Sequence, residues 1–419
     1  MKKKLQNSIL YLLSLLTVSC SLLTLQSCIE PPLKLPAEEV LVDLPVVQVD
    51  LDVVWNLDID WETDWRYGWD SIDKQLWGDI EYPIPSNYEV RRYFLGPQPH
   101  VPHTNVDAFT IYTNRFRRTY EFGYYDLLLW SNIDSDDGTQ VVTIDESNID
   151  ETTASTTVTR GMTRVSNSTT ITTGTTLLTG TSNSTVVTGL FNQPEIFYSA
   201  YPRDIFISRN KEDYDYFDEV ERCWVKQIDC LLDPLVYIYL VQVIIYNNKN
   251  GKIITGSTGD NAISSFATGT SVNTGHTWNK PGLVYYGSRF KKGIDIDGRS
   301  ADIIGGKFTT YGLCDMDCYH LTKDSLYYTG SRRDLRNYLY VDLTFYNGAT
   351  ATLQADVTEQ CWRQHHGGII TVIIDANDFD IPPGPGPGPS PTPGGPGSLF
   401  IPTVEDYDEV VYDLVIGGK

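Results

Sequence analysis

The densest run of residues able to bind something lies between Trp55 and Trp77. It holds Trp55, Trp61, Trp65, Trp69 and Trp77, with Asp58, Asp60, Glu62, Asp64 and Asp70 among them. Indole faces stack on flat ligands and sugar rings, and carboxylates accept from hydroxyls, so this mixture fits a glycan platform. The loop around Trp278 offers a further stacking position. The same aromatics also suit one face of an open sheet, since most aromatic area in proteins goes into packing. Cys314, Cys318 and His320, with Cys361, His365 and His366, are residue types that ligate zinc. Their intervals match no standard zinc spacing, so neither a metal nor a cofactor is expected. Residues 134–138, Asp-Ser-Asp-Asp-Gly, lack the late Glu and the oxygen spacing of a calcium loop and read as a polar hairpin turn between the strands Tyr124 to Trp130 and Gln140 to Ile144. There is no G-x-S-x-G, no H-E-x-x-H and no phosphate loop. His100 and His103 lie in a Pro-rich loop. Carboxylate pairs are plentiful, as in any acidic chain, and identify no glycosidase dyad. The chain is therefore expected not to be an enzyme.

The N-terminus carries a different chemistry. Lys2, Lys3 and Lys4 precede an apolar run from Ile9 to Val18. That is the length of a signal-peptide core and short of the roughly 20 residues a membrane span needs. Leu25-Gln26-Ser27-Cys28 follows and resembles the lipobox of bacterial lipoproteins. The resemblance implies cleavage before Cys28 and lipidation of its thiol. Thr17-Val18-Ser19-Cys20 is a rival site, but Leu25 stands at the better position. An ordinary secretory signal is the plain alternative. An anchor of two or more acyl chains holds stably, where one chain alone is marginal. The expected location is the outer membrane, lipid-anchored and facing the cell surface.

The chain has 419 residues and a formal charge of −22, with acidic residues spread along its length. Such a surface repels nucleic acid and anionic headgroups. The length predicts two domains. Aromatics make up 12%, including 27 Tyr, which suits a β-rich protein. Five cysteines follow Cys28. In an exported chain Cys223 with Cys230, or Cys314 with Cys318, could close short loops, and the odd number leaves one thiol over.

Along the chain, residues 28–44 read as a Pro-bearing tether. Val46 to Val54, Val106 to Thr113, Tyr124 to Trp130 and Gln140 to Ile144 read as strands. Residues 152–188 are Thr/Ser-rich and predict thin strands with long loops. Ile196 to Ser208 is strand-like and broken at Pro202. Tyr214, Phe217, Val220 and Trp224 recur at helical spacing and predict one amphipathic helix. Leu235 to Tyr246 reads as a buried central strand, turned by Asn250-Gly251 into Lys252 to Thr255. Tyr338 to Val357 is the strongest hairpin, with Leu339, Val341, Leu343 and Phe345 on one face and Asn347-Gly348 at the turn. Gly368 to Asp375 adds a last strand. Short strands between Gly, Asn and Asp turns predict an all-β fold of sandwiches, one over residues 45–195 and one over 196–381. Residues 382–398 form a Pro/Gly linker. Residues 399–419 (Val404, Val410, Val411, Leu414, Val415 and Ile416 among them) are too strand-prone to hang free. They either return to their own sheet or add to the edge of another subunit.

The box at Leu25 to Cys28, the Asp/Trp-rich segment from Asp58 to Trp65, and the segment Tyr338 to Gln360 together resemble the fimbrillin-like lipoproteins of the Bacteroidales. Phe400 to Tyr407 is similar to the final strand segment of fimbrillin-like tails. The resemblance implies two tandem Greek-key sandwiches of transthyretin-like topology. It further implies a fimbrial or adhesive role, with other fimbrial subunits as partners through residues 399–419. Polymerising members imply an arginine-directed cleavage. The dibasic pairs here, Arg91-Arg92 and Arg117-Arg118, do not lie between a first strand and a domain. Asp70-Ser71-Ile72 and Asp324-Ser325-Leu326 resemble a short O-glycosylation motif of this bacterial group. The rival function is a glycan-binding outer-membrane lipoprotein of a polysaccharide-uptake system, taking host or dietary glycans through Trp55, Trp61, Trp65, Trp69 or Trp278.

Overall fold

A computed structural model describes residues 41, 43–53, 65–100, 106–133, 140–148, 151–156, 190–256, 261–316, 335–348, 350–377 and 398–400. Cys28, Trp55, Trp61, residues 134–138, most of the Thr/Ser tract, Asp324-Ser325-Leu326, residues 378–397 and residues 401–419 lie outside them.

The described chain is all-β, with two short helices, α1 (Ser71–Trp77) and α2 (Thr358–Arg363). Its strands begin with β1 (Val46–Val53), β2 (Tyr88–Gly96), β3 (Val106–Ile111), β4 (Arg115–Thr119), β5 (Gly123–Ser131), β6 (Val142–Asp145) and β7 (Thr153–Thr156). Then come β8 (Leu190–Phe191), β9 (Tyr198–Ala200), β10 (Ile205–Ile207), β11 (Tyr216–Asp218), β12 (Cys223–Pro234), β13 (Tyr237–Tyr246), β14 (Ile253–Gly256) and β15 (Asn261–Ala267). The last are β16 (Gly269–Ser271), β17 (Pro281–Tyr286), β18 (Ser288–Ile296), β19 (Arg299–Thr310), β20 (Tyr338–Phe345), β21 (Thr350–Asp356), β22 (Gly368–Asp375) and β23 (Ser398–Phe400). Among the described residues no helix is long and apolar enough to cross a membrane.

The chain divides into two compact units. The smaller comprises Met1–Gln48, Arg117–Gly123 and Phe206–Ile228. Here the helix expected through Tyr214, Phe217, Val220 and Trp224 is absent. The segment forms a hairpin, in which β11 pairs antiparallel with the start of β12 and Phe217 lies opposite Trp224. The reason is the turn. The Asp218 carboxylate accepts from the N–H groups of Val220 at 2.9 Å and Glu221 at 3.0 Å, and Arg222 takes a φ of 53°. Aromatics seven residues apart therefore meet across strands, ring centroids 5.3 Å apart, where a helix would have set them two turns apart. Arg117 secures the turn through Asp218 at 2.9 Å and Glu221 at 3.2 Å.

The larger unit comprises Val49–Phe116, Tyr124–Ile205 and Asp229–Lys419. Its centre is a sandwich. One sheet has the order β18-β19-β13-β22, antiparallel except for β22, which runs parallel to β13. The facing sheet has the order β23-β21-β20-β15-β17-β8, with β14 also on β20. β13 is central and buried along almost its whole length, as its unbroken apolar run requires. Tyr239, Val241 and Val243 of β13 meet Phe266 of β15, Leu339, Val341 and Leu343 of β20, and Ile370 and Val372 of β22 in one core. Each such side chain, fully removed from water, contributes about 1.5–3 kcal/mol. The hairpin of β20 and β21 turns at Gly348, φ 78°, where the Asn-Gly pair places it.

Two pairings differ from expectation. Residues 252–255 do not fold back on β13. The Asn248 side chain takes both backbone groups of Ile253, at 2.9 and 2.8 Å, and directs β14 across to β20 in the facing sheet. Likewise β6 does not pair with β5. The Glu195 carboxylate accepts from the N–H groups of Val141 at 2.6 Å and Val142 at 2.9 Å, and β6 pairs with β7 instead. Strands on both sides of residue 196 share sheets: β8 lies on β17, and β7 lies between β6 and β16.

Candidate functional site

Trp65, Trp69 and Trp77 lie in a strap, residues 65–82, that crosses the outer face of the β18-β19-β13-β22 sheet. The indoles form a row, with Trp69 6.3 Å from Trp65 and 5.6 Å from Trp77. Trp65 and Trp69 pack on Ile244, Ile303, Ile238 and Leu240 of that sheet. Two glycines make the seat. A Cβ at Gly305 would lie 2.1 Å from the Tyr67 ring, and one at Gly287 would lie 2.7 Å from Trp77 Nε1. Glycine inside a strand is a signature of such close approach.

Polar groups pin the strap down. Gln242 Oε1 accepts from the N–H groups of Arg66 at 2.9 Å and Tyr67 at 3.3 Å. Lys307 donates to the carbonyls of Trp77, at 3.1 Å, and Asp79. Asp70 caps α1 and shares a capping box with Asp73. Asp73 is fully buried. It accepts from the Tyr67 hydroxyl at 3.0 Å and faces Arg289 at 3.0 Å and Lys291 at 3.1 Å. The Arg289 guanidinium, bound to both oxygens of Asp70, holds that carboxyl well below the usual range. Burial and the Asp73 charge push the Tyr67 phenol far above its usual value. The expected tryptophans at 65 and 69 are thus brought together, partly buried against the sheet. Sequence reasoning missed their partners Tyr67, Asp73, Gln242, Arg289 and Lys291. The signals were slight: an Asp-x-x-Asp cap before a helical turn, and Gly305-Gly306 within a strand.

Trp278 stands in the loop after β16. Its ring lies against Gly269, where a Cβ would be 2.7 Å away, and the Lys280 ammonium sits 5.5 Å from its centroid. Thr277 fixes the loop by donating to the Leu313 carbonyl at 2.6 Å, and His276 meets Asp315 at 3.1 Å. A half-buried indole with a cation near its ring can stack on a polar ring.

The third feature is an edge. β23 pairs parallel with β21, Ala351 opposite Ser398 and Leu353 opposite Phe400. The chain that leaves the Pro/Gly linker thus re-enters its own molecule as an added strand.

Cys318 and His320 lie outside the described residues, and the described reactive residues form no metal-binding cluster. Cys223 and Cys230 are free thiols, while Cys314 and Cys361 are buried. Cys223 and Cys230 belong to one extended strand, and an odd separation turns their side chains to opposite faces, so the loop closure considered for them does not form. The rings of His365 and His366 lie 4.2 Å apart, and His366 is 5.1 Å from the Tyr237 ring. Burial, with His365 beside it, pushes His366 down to about 3 and keeps it neutral. Among the described residues no three His, Cys, Asp or Glu side chains converge as metal ligands.

No family model and no curated protein matches the sequence. The fold is similar to solved structures of a candidate adhesin from Bacteroides ovatus (12% identity, TM-score 0.43, covering 82% of this chain and 95% of that one) and of a second from Bacteroides thetaiotaomicron (8%, 0.43, 80% and 94%). It is also similar to the fimbrial anchor protein Mfa2 from Porphyromonas gingivalis (10%, 0.34, 79% and 91%).

Proposed function

We propose that the chain is a surface-anchored, fimbrillin-like component of a fimbria-type assembly, structural or adhesive in role and not an enzyme. In this reading, residues 1–27 are a signal peptide. Lipid on Cys28 holds the body at the outer membrane surface, two tandem transthyretin-like sandwiches fill residues 45–195 and 196–381, and other subunits engage residues 399–419. The observation that carries the reading is β23. A strand placed beyond a Pro/Gly linker and paired on a sheet edge is the kind of element one subunit can lend to another. The test compares the full chain with one ending at residue 381. Loss of assembly with other subunits and a small fall in Tm are expected. An unchanged oligomeric state and an unchanged Tm would sink the reading. Anchoring is tested separately: Cys28→Ala should abolish incorporation of labelled palmitate and release the protein from the membrane fraction.

The second reading is glycan binding, and the observation favouring it is Trp278, half-buried with the Lys280 ammonium 5.5 Å from its ring centroid. On a glycan array, Trp278→Ala should remove any signal that the parent chain gives. Of the five indoles first considered, Trp65 and Trp69 are the poorer candidates for stacking, because they pack against the sheet. Trp55 and Trp61 stay open to the same substitution test.

A further inference from the structure

β22 is the last strand of its sheet, with β13 as its one strand neighbour among the described residues. Alternate residues of a strand direct both backbone groups to the same side. Ala376, just past β22, donates its N–H to the Tyr246 carbonyl of β13. The even residues of β22 therefore face β13, and Ile369, Thr371, Ile373 and Asp375 face the open edge.

Two glutamines meet that edge. Gln360 Nε2 donates to the Thr371 carbonyl at 2.8 Å, and the Thr371 N–H donates to Gln360 Oε1 at 2.8 Å. Gln364 Nε2 donates to the Ile369 carbonyl at 2.8 Å, and the Ile369 N–H donates to Gln364 Oε1 at 2.7 Å. A side-chain amide has the donor and acceptor of a peptide group, so each glutamine imitates one residue of a neighbouring strand. The spacing fits. Four residues of helix rise about 6 Å, and two residues of strand rise about 6.6 Å. Gly368 makes room: a Cβ there would lie 2.1 Å from Gln364 Oε1. Gln360 is itself buried, so this is a built contact.

We propose that α2 with Gln364 is an edge guard, holding the place of an absent strand and keeping β22 from pairing with β22 of a second copy of the chain. The edge it protects is eight residues of near-continuous apolar sequence, the kind of exposed strand that pairs with its like. Pairing about a two-fold axis would be antiparallel and self-complementary, and would close as a dimer. The guard covers Ile369 and Thr371 and stops short of Ile373 and Asp375.

The test uses the full chain. Gln360→Ala with Gln364→Ala should add a concentration-dependent doubling of mass in light scattering, beyond the state of the parent. Adding Ile373→Pro should reverse it, because proline removes an outward N–H and no bond to β13. A folded double variant with the parent's mass overturns the proposal, as does a dimer that the proline leaves intact. Should the variant fail to fold, amide exchange in the parent decides. Ile369 and Thr371 should exchange at least about tenfold more slowly than Ile373 and Asp375, and equal rates overturn the guard. The tail plays no part in this experiment, so its outcome is independent of the assembly reading.

Discussion

The two sheets of the sandwich each end in an edge, and the edges are finished by different means. At β21 the chain adds a strand, β23, in which backbone meets backbone over three residue pairs. At β22 two side chains do the work, and among the described residues no strand is added. Backbone pairing is general: any extended segment of fitting length offers the same groups. The glutamine clamp is particular to its helix, its glycine and its register. One edge is therefore open to exchange, and the other is closed by local sequence. Substitutions that separate the two edges test that contrast.

The largest effect should come from Gly367→Ala, beside the closed edge. Gly367 has a φ of 96°, and a Cβ there would lie 2.4 Å from the Ile238 carbonyl oxygen of β13. Strained backbone and a clash with backbone add, so a loss of about 3 kcal/mol is expected in urea unfolding. The pairing of β21 with β23 should keep its exchange protection in the folded molecules. Next is Gln360→Leu, close in shape and without the amide. It leaves the Thr371 N–H and carbonyl buried without partners, which costs about 2 kcal/mol. A loss near zero would mean that water replaces the amide and that the edge is already wet.

How much of this was legible in the sequence depends on where the partners lie. β13, β22 and the β20–β21 hairpin were legible because the pattern of each is self-contained: an apolar run, or alternation either side of Asn-Gly. The Trp65–Trp77 segment was legible as aromatic but not as a strap. Its seat is made by Gly287 and Gly305 and its charges are met by Arg289 and Lys291, all more than 200 residues away. The helix expected at Tyr214 to Trp224 shows the converse. A spacing of seven places two aromatics on one helix face, and it equally places them opposite each other across a four-residue turn. The Asp218 cap decided between them. α2 escaped notice because six residues carry too little periodicity, and the meaning of Gln360 and Gln364 appears only beside β22.

Acid offers a finer probe of the same edge. His366 lies in the turn from α2 to β22 and is held neutral, pushed down to about 3. Unfolded, it would protonate near the ordinary imidazole value of 6.5. The unfolded chain therefore binds a proton that the folded chain refuses, so stability is constant above pH 6.5 and falls as pH drops toward 3. For a half-buried ring the loss at pH 5 should be about 1 kcal/mol. His366→Gln should flatten that part of the pH profile. Protection factors, taken against the slower intrinsic exchange in acid, should fall at Ile369 and Thr371 before they fall along β21. The opposite order would place the acid-sensitive step elsewhere.

The smallest effect on stability should come from ending the chain at residue 381. That removes β23 with its short ladder, reached across a linker whose ordering opposes the pairing. Backbone bonds contribute about 1 kcal/mol each in net terms, and the entropy of holding the linker offsets much of that. The isolated protein should lose less than about 1 kcal/mol, with faster exchange confined to β21. If assembly with other subunits is abolished by the same truncation, the energy of β23 is small within the molecule and decisive between molecules. That is the behaviour expected of a strand made to be exchanged. A large loss of stability on truncation would instead make β23 a permanent part of the sandwich. The β21 edge would then be as closed as the β22 edge, and the contrast between them would vanish.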